Sequence, residues 1–209
     1  LTASGQWGAV RVLPSASVFA DITITGRIEH SDGRDLVLQI SARDAQGDQW
    51  LNRTYRYRTT LDRYDQQTPQ RPFDPLFVAV ANDLAARAQT LDDASLQTLK
   101  MVSQLRYASE LVPSAFSDYL TLEAGRYQLL RLPAANDPMV SRIARIRNQE
   151  ALFIDTVDEQ YVDLRHTVGA TYQLWQRSAF EQADYLEQYR GRASGRSLTA
   201  ARGSYAAMQ

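Results

Sequence analysis

The first part of the chain alternates apolar and polar residues with a period of two, which is the pattern of half-buried β-strands. Three runs show it most clearly, at residues 21–30, 36–43 and 50–58. In the first run Ile22, Ile24 and Ile28 share one face. A shorter apolar run at residues 9–13, ended by a proline, predicts one more strand ahead of them. The alternation therefore predicts a small antiparallel sheet of three or four strands.

Short polar turns separate the three longer runs. Residues 31–34 contain an Asp-Gly pair, the strongest short-range signal for a β-hairpin, and residues 44–47 supply a second turn that ends in glycine. The runs therefore predict a meander, in which sequential strands pair. Gly26 falls in the middle of the first strand, which predicts a bulge or a close approach of the backbone to another group.

From residue 74 onward, apolar residues recur at spacings of three and four, the period of an amphipathic α-helix. Asp74 is followed by a proline, which combines a capping carboxylate with the residue that the first helical position favours. The pattern predicts helices that begin at Asp74, at Asp92 or Asp93, and at Pro113, the last running to about Leu130.

A single helical pattern then runs from Pro138 to about Tyr189 without another proline. A helix of this length measures roughly 75–80 Å, which is more than a globular domain of this size can enclose. We therefore expect it either to bend back, with Gly169 as its weak point, or to project as an arm. Residues 190–209 carry four arginines and no acidic residue, which predicts a basic flexible tail.

Together these elements predict an α+β fold, a small antiparallel β-meander packed on one or two helices and followed by a long helical hairpin or arm. Three segments follow from the pattern. Residues 1–91 form a sandwich-like domain of sheet and helix, residues 92–189 a helical region whose long helix covers about 138–189, and residues 190–209 the tail.

Composition excludes several classes of site. The chain has no cysteine, which removes disulfides, thiolate metal sites and cysteine nucleophiles. The net charge of −1 argues against a surface built for nucleic acid. No run reaches the roughly 18 apolar residues of a membrane span. The chain begins at Leu1 rather than at methionine, so we expect a processed fragment, with room for a targeting segment or lipid anchor upstream.

The sequence contains no phosphate-binding glycine loop, no nucleophile elbow and no cluster of metal ligands. Its two histidines, His30 and His166, lie in different regions and are typical of surface or packing residues. Acidic residues gather on the long helix at Asp155, Asp158, Glu159 and Asp163. A glycosidase needs such carboxylates in a cleft, whereas interleaved arginines favour a solvated helix surface. We therefore predict no catalytic residue, no metal and no cofactor.

The long helix carries an apolar stripe rich in aromatic side chains, which concentrate at protein interfaces. The candidate interface residues are Phe153, Val157, Tyr161, Leu164, Tyr172 and Trp175. Packing against the preceding helices is an alternative for the first half of this stripe, but those helices are too short to cover its far end. Glu150 on the same stripe is typical of a polar residue that sets the register of a coiled-coil seam.

Residues 20–28 read Ala-Asp-Ile-Thr-Ile-Thr-Gly-Arg-Ile, and an Asp-Ala-Gln-Gly turn and a strand from Trp50 through Tyr55 follow. With the opening Val-Arg-Val-Leu-Pro of residues 10–14, these motifs resemble the meander of the TolB amino-terminal and CsgG-like superfamily of bacterial envelope domains. The resemblance covers about residues 9–91. It departs from the family's pattern at one point, because the family places a helix where only residues 15–19 intervene here.

The resemblance implies a periplasmic, outer-membrane-associated protein that acts through protein–protein contacts, with no catalytic residue in this domain. We expect a non-catalytic scaffold or assembly protein of a bacterial envelope complex that forms a homo-oligomer or joins a larger assembly. Its partners are expected to be envelope proteins rather than nucleic acid, with peripheral membrane association as a lipoprotein. Two alternatives stay open: a carbohydrate-active or hydrolytic enzyme that uses the helix carboxylates, and a binder of anionic lipid or nucleic acid that uses the arginine tail.

Overall fold

The computed structural model describes residues 1–13, 20–65, 71–134 and 136–206. The fold is α+β, as the sequence predicts. Its larger sheet is the predicted meander of three antiparallel strands in the order β1-β2-β3: β1 Ile22–Ser31, β2 Asp35–Asp44 and β3 Gln49–Arg58. Alternation along β2 buries every second residue from Leu36 to Ala42, so one face of the sheet carries the core.

Glycines in the left-handed region close both turns of the meander. Gly33 has a φ of 83° and Gly47 a φ of 96°, values that an L side chain rarely adopts. Asp32 fixes the first turn, because its carboxylate accepts hydrogen bonds from the backbone N–H groups of Arg34 and Asp35 at 2.9 and 2.7 Å. The turn chemistry read from the sequence is thus confirmed in both places.

At Gly26 the backbone lies close to a side chain of the neighbouring strand, as the position of this glycine predicts. It pairs with Ile40, and an added Cβ would lie 3.1 Å from the Cδ1 atom of Ile40. The irregularity of β1 lies elsewhere, between Ile28 and His30, where the register shifts.

Helices cover only part of the apolar face of the sheet. A short helix, α1 (Asp62–Asp65), precedes α2 (Asp74–Ala88), which packs against β2 and β3. Phe73 and Leu76 join a core cluster with Leu36, Leu38, Ile40 and Tyr55. This helix leaves β1 largely uncovered, and Ile28 is therefore 68% exposed.

The next helix, α3 (Asp93–Leu111), begins where the sequence predicts. Asp92 caps it, because its carboxylate accepts a hydrogen bond of 2.8 Å from the backbone N–H of Ser95. Its buried face includes Leu99, Val102, Leu105, Tyr107 and Ala108. Phe116 and Ile143 pack against this face.

The predicted third helix is wrong beyond its first turn. A single turn, α4 (Pro113–Phe116), leads through a 3₁₀ turn into a hairpin of β4 (Leu120–Glu123) and β5 (Arg126–Leu129). The hairpin turn is formed by Ala124 and Gly125, both with positive φ. Two central residues with positive φ suit a tight antiparallel hairpin and cannot continue a helix.

The predicted strand at residues 9–13 is also wrong. These residues lack strand pairing, and Arg11 and Val12 instead bind side chains of the long carboxyl-terminal helix. The only regular structure in this part of the chain, among the described residues, is the 3₁₀ turn Thr2–Ser4.

The long helix, α5 (Pro138–Ala206), is a single helix of 69 residues, about 100 Å long at 1.5 Å per residue. It passes through Gly169 without a break, so it does not bend back. It also continues through Arg190, where the sequence predicts that it ends and a tail begins. That prediction is wrong for the backbone of Arg190–Ala206, because each residue added to an existing helix gains a hydrogen bond and the arginines and alanines of this segment favour the helix. Residues 207–209 lie outside the described ranges.

Candidate interaction surface on the long helix

The amino-terminal part of α5 packs into the core formed by α3 and α4. Ile143 and Ile154 are buried in one cluster with Leu105 and Phe116. Glu150 lies beside them and accepts a hydrogen bond of 2.5 Å from the hydroxyl of Tyr107. Glu150 therefore has a partner within the chain, which is a different role from setting the register of a seam between helices.

Burial and the hydrogen bond to Glu150 together raise the pKa of Tyr107 to about 12. Arg147, which lies one turn before Glu150 on α5, donates hydrogen bonds to Asp21 at 3.2 Å and to the hydroxyl of Ser103 at 3.1 Å. These polar contacts fix the rotation of α5 about its axis, because each places one side of the helix against a specific group of the domain.

The acidic residues of α5 bind the amino-terminal segment of the chain. Arg11 donates two hydrogen bonds to Asp155, at 2.6 and 3.0 Å, and the backbone N–H of Val12 donates to the carboxylate of Asp158 at 3.0 Å. The hydrogen bond from Arg11 holds the pKa of Asp155 below its ordinary value of 3.8. A carboxylate held ionised in an ion pair is unsuited to general-acid catalysis, which needs a raised pKa.

A second contact joins α5 to the domain about 40 Å further along the helix. Phe180 is buried there against Tyr64, with ring centroids 5.7 Å apart, and the hydroxyl of Tyr64 donates to the carbonyl of Gly33 at 2.5 Å. Arg34 forms an ion pair with Glu187. The turn between β1 and β2 is thus joined to α5 in two ways, through Tyr64 and Phe180 and through the ion pair of Arg34 with Glu187.

The two contacts lie at opposite ends of β1. Twelve extended residues separate Asp21 from Gly33, a span of about 40 Å, and the helical rise from Arg147 to Gln176 is about 44 Å. Between the contacts, residues 159–168 are exposed on every side of the helix. The domain therefore contacts α5 at two places and leaves the segment between them uncovered.

The predicted interface residues lie on the solvent side of this helix. Phe153 is 69% exposed and Trp175 is 59% exposed, and Val157 is partly buried. Tyr161, Leu164 and Tyr172 are also exposed, and the rings of Tyr172 and Trp175 stack with centroids 5.6 Å apart. We refer below to the six predicted residues as the α5 stripe.

The directions of the α5 stripe and of the contacts with the domain overlap in part around the helix axis. At about 100° per residue, Trp175 and Phe180 lie about 140° apart around the helix axis. Phe153 and the buried Ile154 are about 100° apart by the same measure. By the same measure Ile143 and Ile154 have the directions of Tyr161 and Tyr172, so part of the stripe continues the packed side into the segment that the domain leaves uncovered. Phe180, which is also aromatic, belongs to the packed side.

An open groove of about 530 Å³ borders the carboxyl-terminal end of the stripe. One wall is the turn that contains Asp32 and Arg34, and the other is the helix face with Trp175, Leu186 and Arg190. Tyr185 and Tyr189 are also exposed in this part of α5. The apolar surface thus extends past the last contact with the domain.

Neither histidine lies in a cluster suited to chemistry. Nε2 of His30 contacts Asp32 at 3.1 Å, and His166 is exposed on α5. Within the described ranges, no group of three or more His, Asp or Glu side chains is arranged to hold a metal ion. A search of the same residues found no helix that combines the length and apolar character needed to cross a membrane.

Sequence reasoning missed the residues that position α5. Arg11 and Tyr107 form hydrogen bonds with residues 144 and 43 positions away in the chain. No local sequence pattern predicts such contacts. Gly33 was visible only as a turn residue. The buried Ile143, Ile154 and Phe180 are apolar like the residues of the stripe, and a helix with apolar residues on several sides does not indicate which of them are covered.

No protein-family model matches the chain, and comparison with curated proteins and with solved structures gave no match either.

Proposed function

We propose that this protein is a non-catalytic scaffold of a bacterial envelope complex, located in the periplasm and associated with the outer membrane. It assembles with a second copy of itself through the α5 stripe. The observation that carries the proposal is a line of exposed aromatic and aliphatic side chains on a helix that the domain holds at two points. Rigid presentation matters because a surface that is already ordered loses little entropy on binding.

The exposed aromatic area of α5 approaches one partner's share of a standard interface. Six aromatic residues of α5 are about half to two-thirds exposed: Phe153, Tyr161, Tyr172, Trp175, Tyr185 and Tyr189. At roughly 150–250 Å² for each side chain, they present about 700 Å² of surface. A standard interface buries about 800 Å² per partner. The stripe and its neighbours are thus close to one partner's share.

The positions of the carboxylates favour a scaffold over a hydrolytic enzyme. Asp155 and Asp158 bind Arg11 and the backbone of Val12, and Glu150 binds Tyr107. These contacts leave no carboxylate pair of this group aimed into a shared cleft. The envelope assignment rests on the resemblance of about residues 9–91, and the order of strands, turns and following helix supports it. The lack of strand pairing at residues 9–13 counts against it, because the family begins with a strand there.

The experiment compares two variants that place a charge at aromatic positions of α5. Trp175→Glu alters the exposed stripe, and Phe180→Glu alters the buried contact. We expect Trp175→Glu to abolish self-association while the thermal unfolding midpoint measured on dilute, monomeric protein stays close to that of the parent. Phe180→Glu should lower that midpoint, because it buries a charge against Tyr64. Undiminished self-association of Trp175→Glu would overturn the proposal.

A further inference from the structure

A cleft of about 500 Å³ opens where the polar face of the sheet meets α3 and the β4–β5 hairpin. Because Ala42 of β2 points into the core, its neighbours Ser41 and Arg43 point to the opposite face of the sheet. Thr25 and Thr23 of β1 pair with these two residues and share their face. The four polar side chains line one side of the cleft.

The hairpin forms another side of the cleft because it packs on the turn between β2 and β3. The backbone N–H of Tyr127 donates to the carbonyl of Gln46 at 2.8 Å. A Cβ added to Gly47 would lie 2.5 Å from the carbonyl oxygen of Gly125, so this close approach requires a glycine. The guanidinium of Arg106 stacks on the ring of Tyr127, 4.2 Å from its centroid. The cleft is therefore a built feature of the fold.

Arg106 of α3 leaves one edge of its guanidinium without a partner. Its Nη1 atom donates to the carbonyl of Ala45 at 2.6 Å. Within the part of the chain that the structure describes, Nε is buried without a hydrogen-bond acceptor, and Nη2 also has none. A buried, charged donor that lacks an acceptor is unfavourable. The position of Arg106 therefore favours a ligand that supplies an acceptor.

Two other arginines show what this edge of the guanidinium binds. Arg11 donates from Nε and Nη2 to the two oxygens of Asp155, at 2.6 and 3.0 Å. Arg58 donates from the same two atoms to Asp35, at 2.7 and 3.0 Å. Such a pair of parallel hydrogen bonds matches the geometry of a carboxylate or a phosphate. The edge of Arg106 that has no partner thus suits an oxyanion.

Arg43 brings a second positive charge to the cleft. Its side chain is exposed, and in the described ranges its guanidinium forms no ion pair or hydrogen bond. Asp44 also borders the cleft, but its carboxylate accepts hydrogen bonds from the indole N–H of Trp50 at 2.8 Å and the backbone N–H of Asp48 at 2.9 Å. Asp44 therefore does not neutralise Arg43.

Glu110 and several hydroxyl groups give the cleft hydrogen-bonding capacity besides its arginines. A second depression of about 320 Å³ shares Arg106, Glu110 and Tyr127 with the cleft. It adds the hydroxyl side chains of Ser109, Ser117 and Thr121. Oγ of Ser109 is buried and has no hydrogen-bond partner among the described residues. A carboxylate and hydroxyls beside an oxyanion site suit a ligand that also carries hydroxyl groups of its own.

We propose that this cleft binds a small saccharide that carries a carboxylate or a phosphate group. The oxyanion binds at Arg106 and Arg43, and the hydroxyl groups of the ligand bind Glu110 and the serine and threonine side chains. The volume lies within the range of about 300–1,000 Å³ that small-ligand sites occupy. Of the described residues that line the cleft, none belongs to α5, so the site does not depend on self-association.

Titration of the unaltered protein with three forms of one sugar tests the site. D-glucuronate carries a carboxylate, D-glucose 6-phosphate carries a phosphate, and D-glucose carries neither. Binding is followed by NMR on the Nε–H signal of Arg106, identified as the signal that Arg106→Lys removes. We expect a saturable shift of this signal with at least one of the two acids and none with glucose. The acid that binds identifies the anionic group.

Two results of this titration would overturn the proposal. The first is a signal that neither acid shifts in a saturable way. The second is inorganic phosphate that binds as tightly as both acids, because the hydroxyl groups of the sugar would then contribute nothing.

Matched arginine variants test whether binding is local to the cleft. Arg56 lies opposite Val37 on the same face of the sheet as Arg43, is also exposed, and does not line the cleft. Arg43→Gln should weaken binding of the acid at least about tenfold, the usual effect of losing a charged hydrogen bond. Arg56→Gln should leave it unchanged. Equal weakening by both would indicate general attraction to a basic surface and would contradict the site.

Trp175→Glu separates this proposal from the proposed self-association. Its substitution lies on α5, outside the cleft, so it should bind the acids as the parent does. A monomeric parent chain that still binds them would overturn the self-association alone. A self-associating chain whose Arg106 signal responds to neither acid would overturn the saccharide site alone.

Discussion

Gly33 lies directly against the backbone of Phe180. A Cβ added to Gly33 would be 2.6 Å from the amide nitrogen of Phe180 and 2.5 Å from the carbonyl oxygen of Gln176, both far inside van der Waals contact. The turn between β1 and β2 can therefore touch α5 only because a glycine occupies this position. The second of the two contacts that hold α5 depends on it.

Gly33→Ala should release the second contact while α5 stays helical. A matched control is Gly125→Ala, because Gly125 also has a positive φ of 80° but has open space around its Cβ position. Spin labels on cysteines introduced at Ser31 and Gln182, which line the groove, report the distance between turn and helix. We expect a longer and broader distance distribution in Gly33→Ala and the parent distribution in Gly125→Ala. An unchanged distance distribution in Gly33→Ala would mean that the turn and α5 accommodate the added Cβ without separating, which would contradict the prediction.

Asp158→Ala should free the amino-terminal segment from α5. The carboxylate of Asp158 accepts a hydrogen bond from the backbone N–H of Val12, and charge-assisted bonds of this kind contribute about 1.5–3 kcal/mol. We expect amide hydrogen exchange at Val12 to become about tenfold faster. Asp163→Ala is the control, because Asp163 is exposed one turn beyond the segment. Equal exchange rates at Val12 in the two variants would count against the contact.

Alkaline pH should weaken the contact between Tyr107 and Glu150. The folded protein raises the pKa of Tyr107 to about 12, by burial and by the hydrogen bond to Glu150. The resulting stabilisation is complete below the unfolded-state value of 10.0 and is lost as the pH rises from there towards 12. Denaturant unfolding across this range should show a smaller loss of stability for Tyr107→Phe than for the parent. Identical pH dependence would show that this hydroxyl ionises equally in both states.

Two phenylalanine substitutions distinguish a core position from a surface position. Phe116 is 1% exposed and Phe153 is 69% exposed. Phe116→Ala should lower the free energy of unfolding by about 3–5 kcal/mol, because it leaves a cavity in a packed cluster. Phe153→Ala should change it by less than about 0.5 kcal/mol, measured by urea unfolding of the monomer. A large loss in Phe153→Ala would place this side chain in a core and remove it from the proposed interface.

The sequence predicts the meander well, because local chemistry fixes it. Alternation along β2 sets which residues are buried, and glycine at positions 33 and 47 sets the turns. The hairpin after Phe116 was missed for a physical reason. The proline at its start and the spacing of Phe116, Tyr119 and Leu120 are also typical of a helix. The signal for the hairpin is the alternation of apolar residues on both sides of Ala124 and Gly125.

The candidate surface was predictable in outline only. Periodicity identifies the stripe from Phe153 to Trp175, but which line of α5 is covered depends on Ile154 and Phe180 and on their partners far away in the chain. The roles of Arg11 and Glu150 likewise arise from long-range contacts. Local patterns therefore determine the elements, and tertiary packing determines which helix face remains exposed.

The most direct test of the account is the mass of the unaltered chain in solution, measured by sedimentation velocity over a wide concentration range. The chain has a mass of 23.6 kDa. Self-association through α5 predicts a reversible shift to twice that mass as concentration rises, and Trp175→Glu should remain at the monomer mass throughout. A parent chain that stays at 23.6 kDa at every concentration would contradict the account.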